Sequence, residues 1–309
     1  MNFPPFDTPI PDGGYIWWYL DALSDDGQRG LTIIAMLGSV FSPYYAYARQ
    51  RGTTDPLNYC ALNVALYGQG GKRWALTERS RRQVSTAPNH LTIGPSSLHW
   101  DGQTLTIDIN EITVPWPSRL RGQVILKTER LNPQAFNLDG QGQHRWWPLA
   151  PRARVTVDLE RPERRWSGTA YLDSNAGDEP LEHGFQSWDW SRAALDEGTA
   201  ILYDVIRRDG TPQCLALEFT EDNQAHVFTP PDRHRLPTTA IWRIRRGIQS
   251  ESPPSVTKTL EDTPFYTRSL VAATLRGQAI TAVHESLNLQ RFATHWVKWL
   301  LPFRMPRRS

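Results

Sequence analysis

Apolar runs, each closed by a turn signal, follow one another along most of this chain. The first run, YIWWYLDALS, lies between the turn sequences DGG and SDDG. GLTIIAMLGSV follows as a nearly continuous apolar segment, which is typical of a buried strand. Comparable segments recur as far as AITAVHESL, with little helical periodicity between them. Many short strands at near-regular spacing predict antiparallel barrels or sandwiches rather than a parallel sheet.

Two segments carry helical signals. Ser42 is a candidate N-cap, Pro43 stands at the first helical position and Gly52 is a stop signal. Near the C-terminus, before Pro302, apolar residues recur at helical spacing: Leu289, Phe292, Trp296, Trp299 and Leu300. We therefore expect a short helix after Ser42 and a C-terminal helix in an otherwise mainly β protein.

The length of 309 residues fits two domains of about 150 residues each. The polar stretch LNPQAFNLDGQG separates two sets of roughly eight to ten predicted strands. We expect two antiparallel β-barrels packed together, with an N-terminal domain over residues 1–140 and a C-terminal domain over residues 141–309. The triplet Tyr19-Leu20-Asp21 matches Tyr171-Leu172-Asp173. It is weak support for internal duplication, because three residues can match by chance.

Composition narrows the class of protein. A hydrophobic content of 39% and a charged content of 21% belong to an ordinary globular protein. The net charge of +2 provides no field that attracts nucleic acid, so no nucleic-acid partner is expected. Cys60 and Cys214 lie far apart in apolar runs, and two free thiols favour a reducing, cytoplasmic setting. No run approaches the roughly 18 apolar residues of a membrane span, and the first residues lack a signal-peptide pattern.

The motifs of several other chemistries are missing. The chain has no Walker motif and no GxSxG elbow, and its glycine-rich stretches lack dinucleotide-binding spacing. Its eight histidines never fall at HxxxH or HxH spacing. We therefore expect no metal site and no cofactor.

The stretch from His144 to Arg192 holds five of the thirteen tryptophans. Within it, the strand period of two places Tyr171 and Asp173 of RWSGTAYLD on one face. If HRW is extended, His144 and Trp146 also share one side. Indoles beside a carboxylic acid suit the protonation of an apolar molecule and the stabilisation of the resulting carbocation.

Each of these residues also has a purely structural interpretation. Asp173 opens DSNAG, a sequence of turn formers, and can be a solvated Asx-turn residue. His144 can be a structural hydrogen-bonding residue. The alternation in Trp188-Asp189-Trp190 places Asp189 on the face opposite both rings. The tryptophans can all belong to cores: Trp146, Trp147, Trp188 and Trp190.

Several long motifs carry a family resemblance. They are GGYIWWYLDALSDDG, GLTIIAMLGSVFSPYYAYAR, NYCALNVALYG, RWALTER, HRWWPLAPRARV and YLDSNAGDEPLEHGFQSWDWSR. With these motifs, which cover most of its length, the chain resembles the carotenoid 1,2-hydratases, also called hydroxyneurosporene synthases. The resemblance implies two lipocalin-like barrels and a role in carotenoid biosynthesis in photosynthetic bacteria. It also implies cofactor-free addition of water to the terminal C1–C2 double bond of acyclic carotenoids such as neurosporene or lycopene.

The resemblance also implies site residues, position by position. The implied acid is Asp173, supported by Tyr171 and by His144 and Trp146 of a His-x-Trp motif. A further tryptophan of the family has no counterpart, because Ala176 stands at that place. Another ring must then contact the substrate, and the expected substrate-binding residues are Trp188, Trp190 and Trp147.

This reaction makes definite chemical demands. Protonation of the alkene at C2 leaves the charge on the more substituted C1, where water adds to give a tertiary alcohol. The donor must stay protonated near neutral pH, which burial among indoles favours because it disfavours the ionised form. Aromatic faces stabilise the cation by up to about 2 kcal/mol per contact. The proton of the attacking water goes to His144 or to the new Asp173 carboxylate.

Two other functions fit the same residues. One is a non-catalytic, lipocalin-like carrier of a polyene or other lipid, and the other is an isomerase or cyclase acting on another terpenoid or polyketide. The aromatic C-terminal segment also carries basic residues: Lys298, Arg304, Arg307 and Arg308. Rings beside cations suit an anionic membrane surface, and packing across a barrel end is an equal alternative. We expect an acyclic carotenoid as partner and peripheral membrane contact of a cytoplasmic protein.

Overall fold

The computed structural model describes residues 3–308. Strands make up 56% of it and helices 10%, which confirms the prediction of a mainly β protein. The chain forms two compact units, each with its own large sheet. The first unit holds the residues up to Asn137, Gln141–Pro180 and the residues from Trp299 on, and the second holds Leu138–Gly140 and Leu181–Lys298.

The first unit contains the strands β1 (Tyr15–Ser24), β2 (Arg29–Leu37), β3 (Cys60–Gly68), β4 (Arg73–Arg79), β5 (Val84–Ala87), β6 (His90–Ile93), β7 (Ser96–Trp100), β8 (Thr104–Ile112), β9 (Arg119–Lys127), β10 (Phe136–Asn137), β11 (His144–Arg161) and β12 (Glu163–Gly177). They pair in the order β4-β3-β2-β1-β12-β11-β9-β8-β7-β6-β5, and β10 pairs with β11. Alternate side chains of these strands, among them Leu20, Ile33 and Leu172, form one aliphatic core.

The second unit contains the strands β13 (Phe185–Leu195), β14 (Gly198–Arg207), β15 (Pro212–Phe219), β16 (Ala225–Val227), β17 (Arg233–Leu236), β18 (Arg246–Gln249), β19 (Ser255–Asp262), β20 (Tyr266–Leu275) and β21 (Gln278–Asn288). Seven of them pair in the order β16-β15-β14-β13-β21-β20-β19, and β17 pairs with β18. Leu202, Val271 and Ile280 belong to its own aliphatic core.

The helices are short. They are α1 (Pro43–Arg49), α2 (Leu181–Gly184), α3 (Leu289–Phe292) and α4 (His295–Leu300), with 3-10 turns at Pro56–Asn58, Arg81–Gln83 and Leu301–Phe303. The Ser42 hydroxyl accepts a hydrogen bond from the Tyr45 N–H at 2.9 Å, so the predicted helix after Ser42 is confirmed together with its cap. A final short strand, β22 (Arg307–Arg308), pairs in parallel with β4.

The C-terminal segment differs from the single helix that the spacing predicts. The helical turn of α3 ends before α4 begins, and the Thr294 hydroxyl donates to the Arg291 carbonyl at 2.6 Å. Leu289 and Phe292 are fully buried, whereas Trp299 is 79% exposed. The apolar positions therefore do not form one continuous buried face.

The division into units also differs from the boundary expected at residue 140. Strands β11 and β12 follow the polar stretch, yet they pair with β9 and β1 of the first sheet. A polar connection marks a turn between two strands as readily as a link between two domains. Backbone pairing, which the pattern does not show, places the change between Pro180 and Leu181.

Candidate active site

Strand β12 positions the two residues that the sequence singled out. Its pairing with β1 runs without a register shift through Gly177, and Ser174 to Gly177 also pair with β11. DSNAG is therefore extended backbone, and the Asx-turn alternative for Asp173 is not adopted. Leu172 packs in the aliphatic core of the first unit. Tyr171 and Asp173 therefore share the opposite face, which we call the acid face, as strand parity predicts.

One carboxyl oxygen of Asp173 receives two hydrogen bonds. The Tyr171 hydroxyl donates to Oδ2 at 2.7 Å, and the Trp146 indole N–H donates to the same oxygen at 3.0 Å. The Trp146 nitrogen also lies 3.2 Å from the Tyr171 oxygen. All three side chains are buried. Trp146 reaches this place because it pairs with Asn175, two residues after Asp173 on the same face.

His144 lies two residues before Trp146 on the acid face and is fully buried. Its Nδ1 is 3.0 Å from the Tyr15 hydroxyl, and its Nε2 is 3.3 Å from Oε1 of Glu179. Gly177 permits this approach, since a Cβ there would lie 2.2 Å from the Tyr15 ring. His144 is thus oriented by a phenol on one side and a carboxylate on the other.

Strand β1 adds aromatic residues that the sequence interpretation did not single out. Tyr15 and Trp17 stack with ring centroids 4.9 Å apart. Tyr19 is directly opposite Asp173 in the register, and its ring meets the Tyr171 ring edge-on at 6.1 Å. The alternation of YIWWYLD contains the signal for these rings, but only the pairing of β1 with β12 connects them to the acid.

Trp147 and Ala176 belong to the other face. Both pack against the aliphatic core, and the Trp147 indole N–H donates to the Asn132 carbonyl at 2.7 Å. Trp147, an expected substrate-binding residue, therefore does not lie on the acid face, because adjacent residues of an extended strand point to opposite faces. A ring in place of Ala176 would also point away from Asp173.

Trp188 and Trp190 lie on β13 of the second unit, where both are buried. Trp188 packs edge-on against Phe185 and Tyr203, with centroids 6.0 and 5.9 Å away. Asp189 points to the opposite face, as predicted, and accepts a hydrogen bond from the Ser286 hydroxyl. Contact of the two tryptophans with substrate stays a prediction.

The two cysteines are free thiols, Cys60 buried and Cys214 half-buried. Within residues 3–308, no group of three or more His, Cys, Asp or Glu side chains is arranged to hold a metal ion. Over the same residues, every helix is too short or too polar to cross a membrane.

Solved structures share this architecture. An AttH-type protein from Nitrosomonas europaea matches with a TM-score of 0.59 and 16% identity, over 88% of this chain and 91% of that one. Kievitone hydratase from Nectria haematococca matches with a TM-score of 0.56 and 9% identity, over 95% of this chain and 100% of that one. At these identities the likeness concerns the fold alone, and it confirms the lipocalin-like class that the family resemblance implies.

Sequence relatives are much more similar. The acyclic carotenoid 1,2-hydratase of Thiocapsa roseopersicina is 61% identical over 98% of this chain and 76% of its own length. That of Rubrivivax gelatinosus is 50% identical over 99% of this chain and 76% of its own length. The pattern that describes the carotenoid hydratase CrtC family matches residues 33–309. The chain belongs to the carotenoid hydratase CrtC family.

Proposed function

We propose that this protein adds water to the terminal C1–C2 double bond of acyclic carotenoids such as lycopene or neurosporene. The names of its relatives and the family support this reaction. The observation that carries the mechanism is the buried Asp173 carboxyl, which Tyr171 and Trp146 bind at a single oxygen. Such a group can give a proton to an apolar molecule in a place that excludes water.

The proton leaves Asp173 and forms a C–H bond at C2, while the π electrons of the double bond supply that bond and leave a tertiary cation at C1. The two donors on Oδ2 bind a carboxylate more strongly than a neutral acid, so their hydrogen bonds strengthen as the proton leaves. They therefore lower the barrier to protonation without needing to reorient.

Rings of the acid face stabilise the cation. Trp146, Trp17 and Tyr19 share this face with Asp173. A cation held over such a ring gains about 0.5 to 2 kcal/mol, with the larger values away from water. These three rings take over the cation stabilisation that the resemblance assigns to a further tryptophan, in whose place Ala176 stands here.

His144 has a supporting role in this scheme. Its two ring nitrogens lie within hydrogen-bonding distance of Tyr15 and Glu179, which fixes the ring beside Trp146. A histidine oriented between a phenol and a carboxylate can hold its neighbours in place, and it can also transfer protons.

The test is the substitution Asp173→Asn, which keeps the size and removes the acid. Loss of a general acid lowers the rate by about 10²- to 10⁴-fold. Mass spectrometry detects the product, which is one water heavier than lycopene. When the reaction runs in oxygen-labelled water, the product must contain the labelled oxygen. Asp158→Asn is the matched control, because that side chain is 57% exposed and pairs with Arg165 at the surface.

Two results would contradict this proposal. Near wild-type hydration by a folded Asp173→Asn variant removes Asp173 from the reaction. Lycopene bound by the wild-type protein without any hydrated product favours the carrier, and a product without labelled oxygen favours an isomerase or cyclase.

We further propose that the protein works at a membrane surface, where an apolar polyene dissolves. Exposed rings of the first unit support this: Trp299 is 79%, Phe303 76% and Trp116 84% exposed. The Arg304 guanidinium lies 4.3 Å from the Trp74 ring, and the Trp74 carbonyl accepts from Val114 N–H at 2.9 Å. Trp74 thus links the segments that carry these rings. Aromatic rings beside cations suit the interface of an anionic bilayer.

A further inference from the structure

The two Tyr-Leu-Asp triplets of this chain lie directly across from each other. In the register of β1 with β12, Tyr19 is opposite Asp173, Leu20 is opposite Leu172 and Asp21 is opposite Tyr171. Residues directly opposed in an antiparallel pair share a face. Asp21 therefore belongs to the acid face, and it is fully buried there.

The strand positions of Asp21 and Asp173 are far enough apart for a reactant to fit between the two side chains. Asp21 and Asp173 are diagonal neighbours on adjacent strands, which corresponds to about 7–8 Å between their positions. Enzymes that use one carboxyl as acid and another to activate water hold them roughly 6.5–9.5 Å apart, because a water molecule must fit between. Two buried carboxylates at this range repel each other, which favours a state in which only one of the two is charged.

A polar side chain beside Asp21 points to a bound molecule. Thr32 of β2 is directly opposite Asp21 and is only 2% exposed. Its hydroxyl has no hydrogen-bond partner among residues 3–308. A buried hydroxyl left without a partner costs about 1–3 kcal/mol, which a bound water recovers.

We propose that Asp21 is the base of the hydration and that the Thr32 hydroxyl holds the attacking water. The assignment rests on the proposed function. The water oxygen forms a bond to the cation at C1, and one of its protons passes to the Asp21 carboxylate. Asp173 has meanwhile given its proton to C2, so the two carboxyl groups have exchanged protonation states when the alcohol leaves.

Tyr171 is placed to restore the starting state. Its hydroxyl donates to Asp173 at 2.7 Å, and its position on β12 is opposite Asp21. A transfer of the Tyr171 proton to Asp173, with a proton taken up from Asp21, returns both groups to their initial forms. Atoms and charges then balance over one cycle: one water and one alkene give one alcohol.

The experiment separates protonation from water capture. Asp21→Asn, Thr32→Val and the control Asp158→Asn are compared with wild type in D₂O with lycopene. Hydrated product and deuterium in recovered lycopene are measured together. A cation that water does not capture gives a proton back to the Asp173 carboxylate. When protium from C2 or from a C1 methyl group leaves, the recovered alkene carries deuterium, so exchange reports on the Asp173 step.

We expect Asp21→Asn to lower hydration by about 10²- to 10⁴-fold, the usual effect of losing a general base, while deuterium exchange continues. Asp173→Asn loses both. Hydration by Asp21→Asn within threefold of wild type, or loss of exchange together with hydration in a folded variant, overturns the assignment. If wild type itself gives no hydrated product, it is the proposed function that fails.

Thr32→Val decides the matter if Asp21→Asn does not fold, because valine keeps the shape and removes only the hydroxyl. We expect its kcat for hydration to fall about tenfold, the effect of one lost hydrogen bond, with KM and exchange unchanged. An unchanged kcat contradicts the proposed water site.

Discussion

The Trp146 indole nitrogen donates a hydrogen bond across 3.0 Å to Oδ2 of Asp173. The Tyr171 hydroxyl reaches the same oxygen at 2.7 Å. Both donors stabilise a carboxylate more than a neutral acid. The carboxyl is therefore held in a place where burial favours its protonated form and hydrogen bonds favour its release of a proton.

Trp146→Phe tests this arrangement, because it keeps a ring and removes the donor. We expect kcat for hydration to fall about tenfold, since a hydrogen bond to a developing charge contributes about 1.4 kcal/mol or more. Product formation over time and thermal unfolding are measured side by side. Trp147→Phe is the control: it loses its bond to Asn132 on the other face, so its stability falls and its kcat stays. Equal loss of kcat in both variants would contradict the prediction.

Arg307 is expected to stabilise the first unit in a pH-dependent way. It pairs with the fully buried Glu78. Burial raises the pKa of Glu78, and the charge of Arg307 lowers it. In Arg307→Ala the ionised carboxylate loses its partner, which costs about 2–4 kcal/mol for a partly buried pair near neutral pH. As the pH falls and Glu78 is protonated, that cost shrinks, because a neutral acid needs no cation.

Denaturant unfolding at pH 7.5 and pH 5 measures this difference. In the background of Glu78→Gln, the Arg307→Ala substitution is expected to cost the same at both pH values. The remaining cost comes from its contact with the Tyr59 ring, at 4.7 Å from the centroid. A destabilisation that does not change with pH in the single variant would show that the ion pair contributes nothing.

Neither cysteine is expected to react in the folded protein. Burial raises the pKa of Cys60 to about 12. Burial also raises the pKa of Cys214, and the nearby Asp204 charge adds to the rise. Since the thiolate is the nucleophile, iodoacetamide at pH 8 should leave both unmodified and label both after denaturation. Mass spectrometry counts the adducts, and rapid labelling of the native protein would refute the prediction.

Membrane contact is tested by point variants. Deletion of the residues from Asn288 on would also remove the buried Leu289 and Phe292. Weak vesicle binding by such a truncated protein would therefore report on its folding and not on the exposed rings. Trp299→Ala combined with Phe303→Ala removes exposed rings only. We expect at least a tenfold weaker association with anionic vesicles in a sedimentation assay. Burial of the apolar surface of each ring in the bilayer contributes about 1 kcal/mol or more to the binding free energy.

The control for this prediction is Val227→Ala, which shortens an exposed apolar side chain of the second unit. Its vesicle binding should equal that of wild type. Unchanged binding by the Trp299→Ala, Phe303→Ala variant excludes this surface. If the wild-type protein forms a dimer in solution and this variant does not, the rings belong to a contact with a second copy of the chain instead.

Local patterns in the sequence determined a large part of the molecule. Alternation along the chain gave the mainly β class, Ser42 and Pro43 gave the start of α1, and parity placed Tyr171 and Asp173 on one face. These features depend on φ, ψ preferences and on the strand period of two, which act over a few residues. The long motifs identified the family resemblance, because a match at many positions together is specific to one family.

Tertiary structure decided everything that depends on which strands pair. The register of β1 against β12 places Asp21 across from Tyr171, a relationship between residues 150 positions apart. Pairing also keeps β11 and β12 in the first unit and turns Trp147 into the core. No local propensity encodes these pairings, since the same alternation fits several registers and partners, and only burial of a complete face selects one. The sequence by itself placed Asp173 and Tyr171 on one face, and the fold determined what surrounds them.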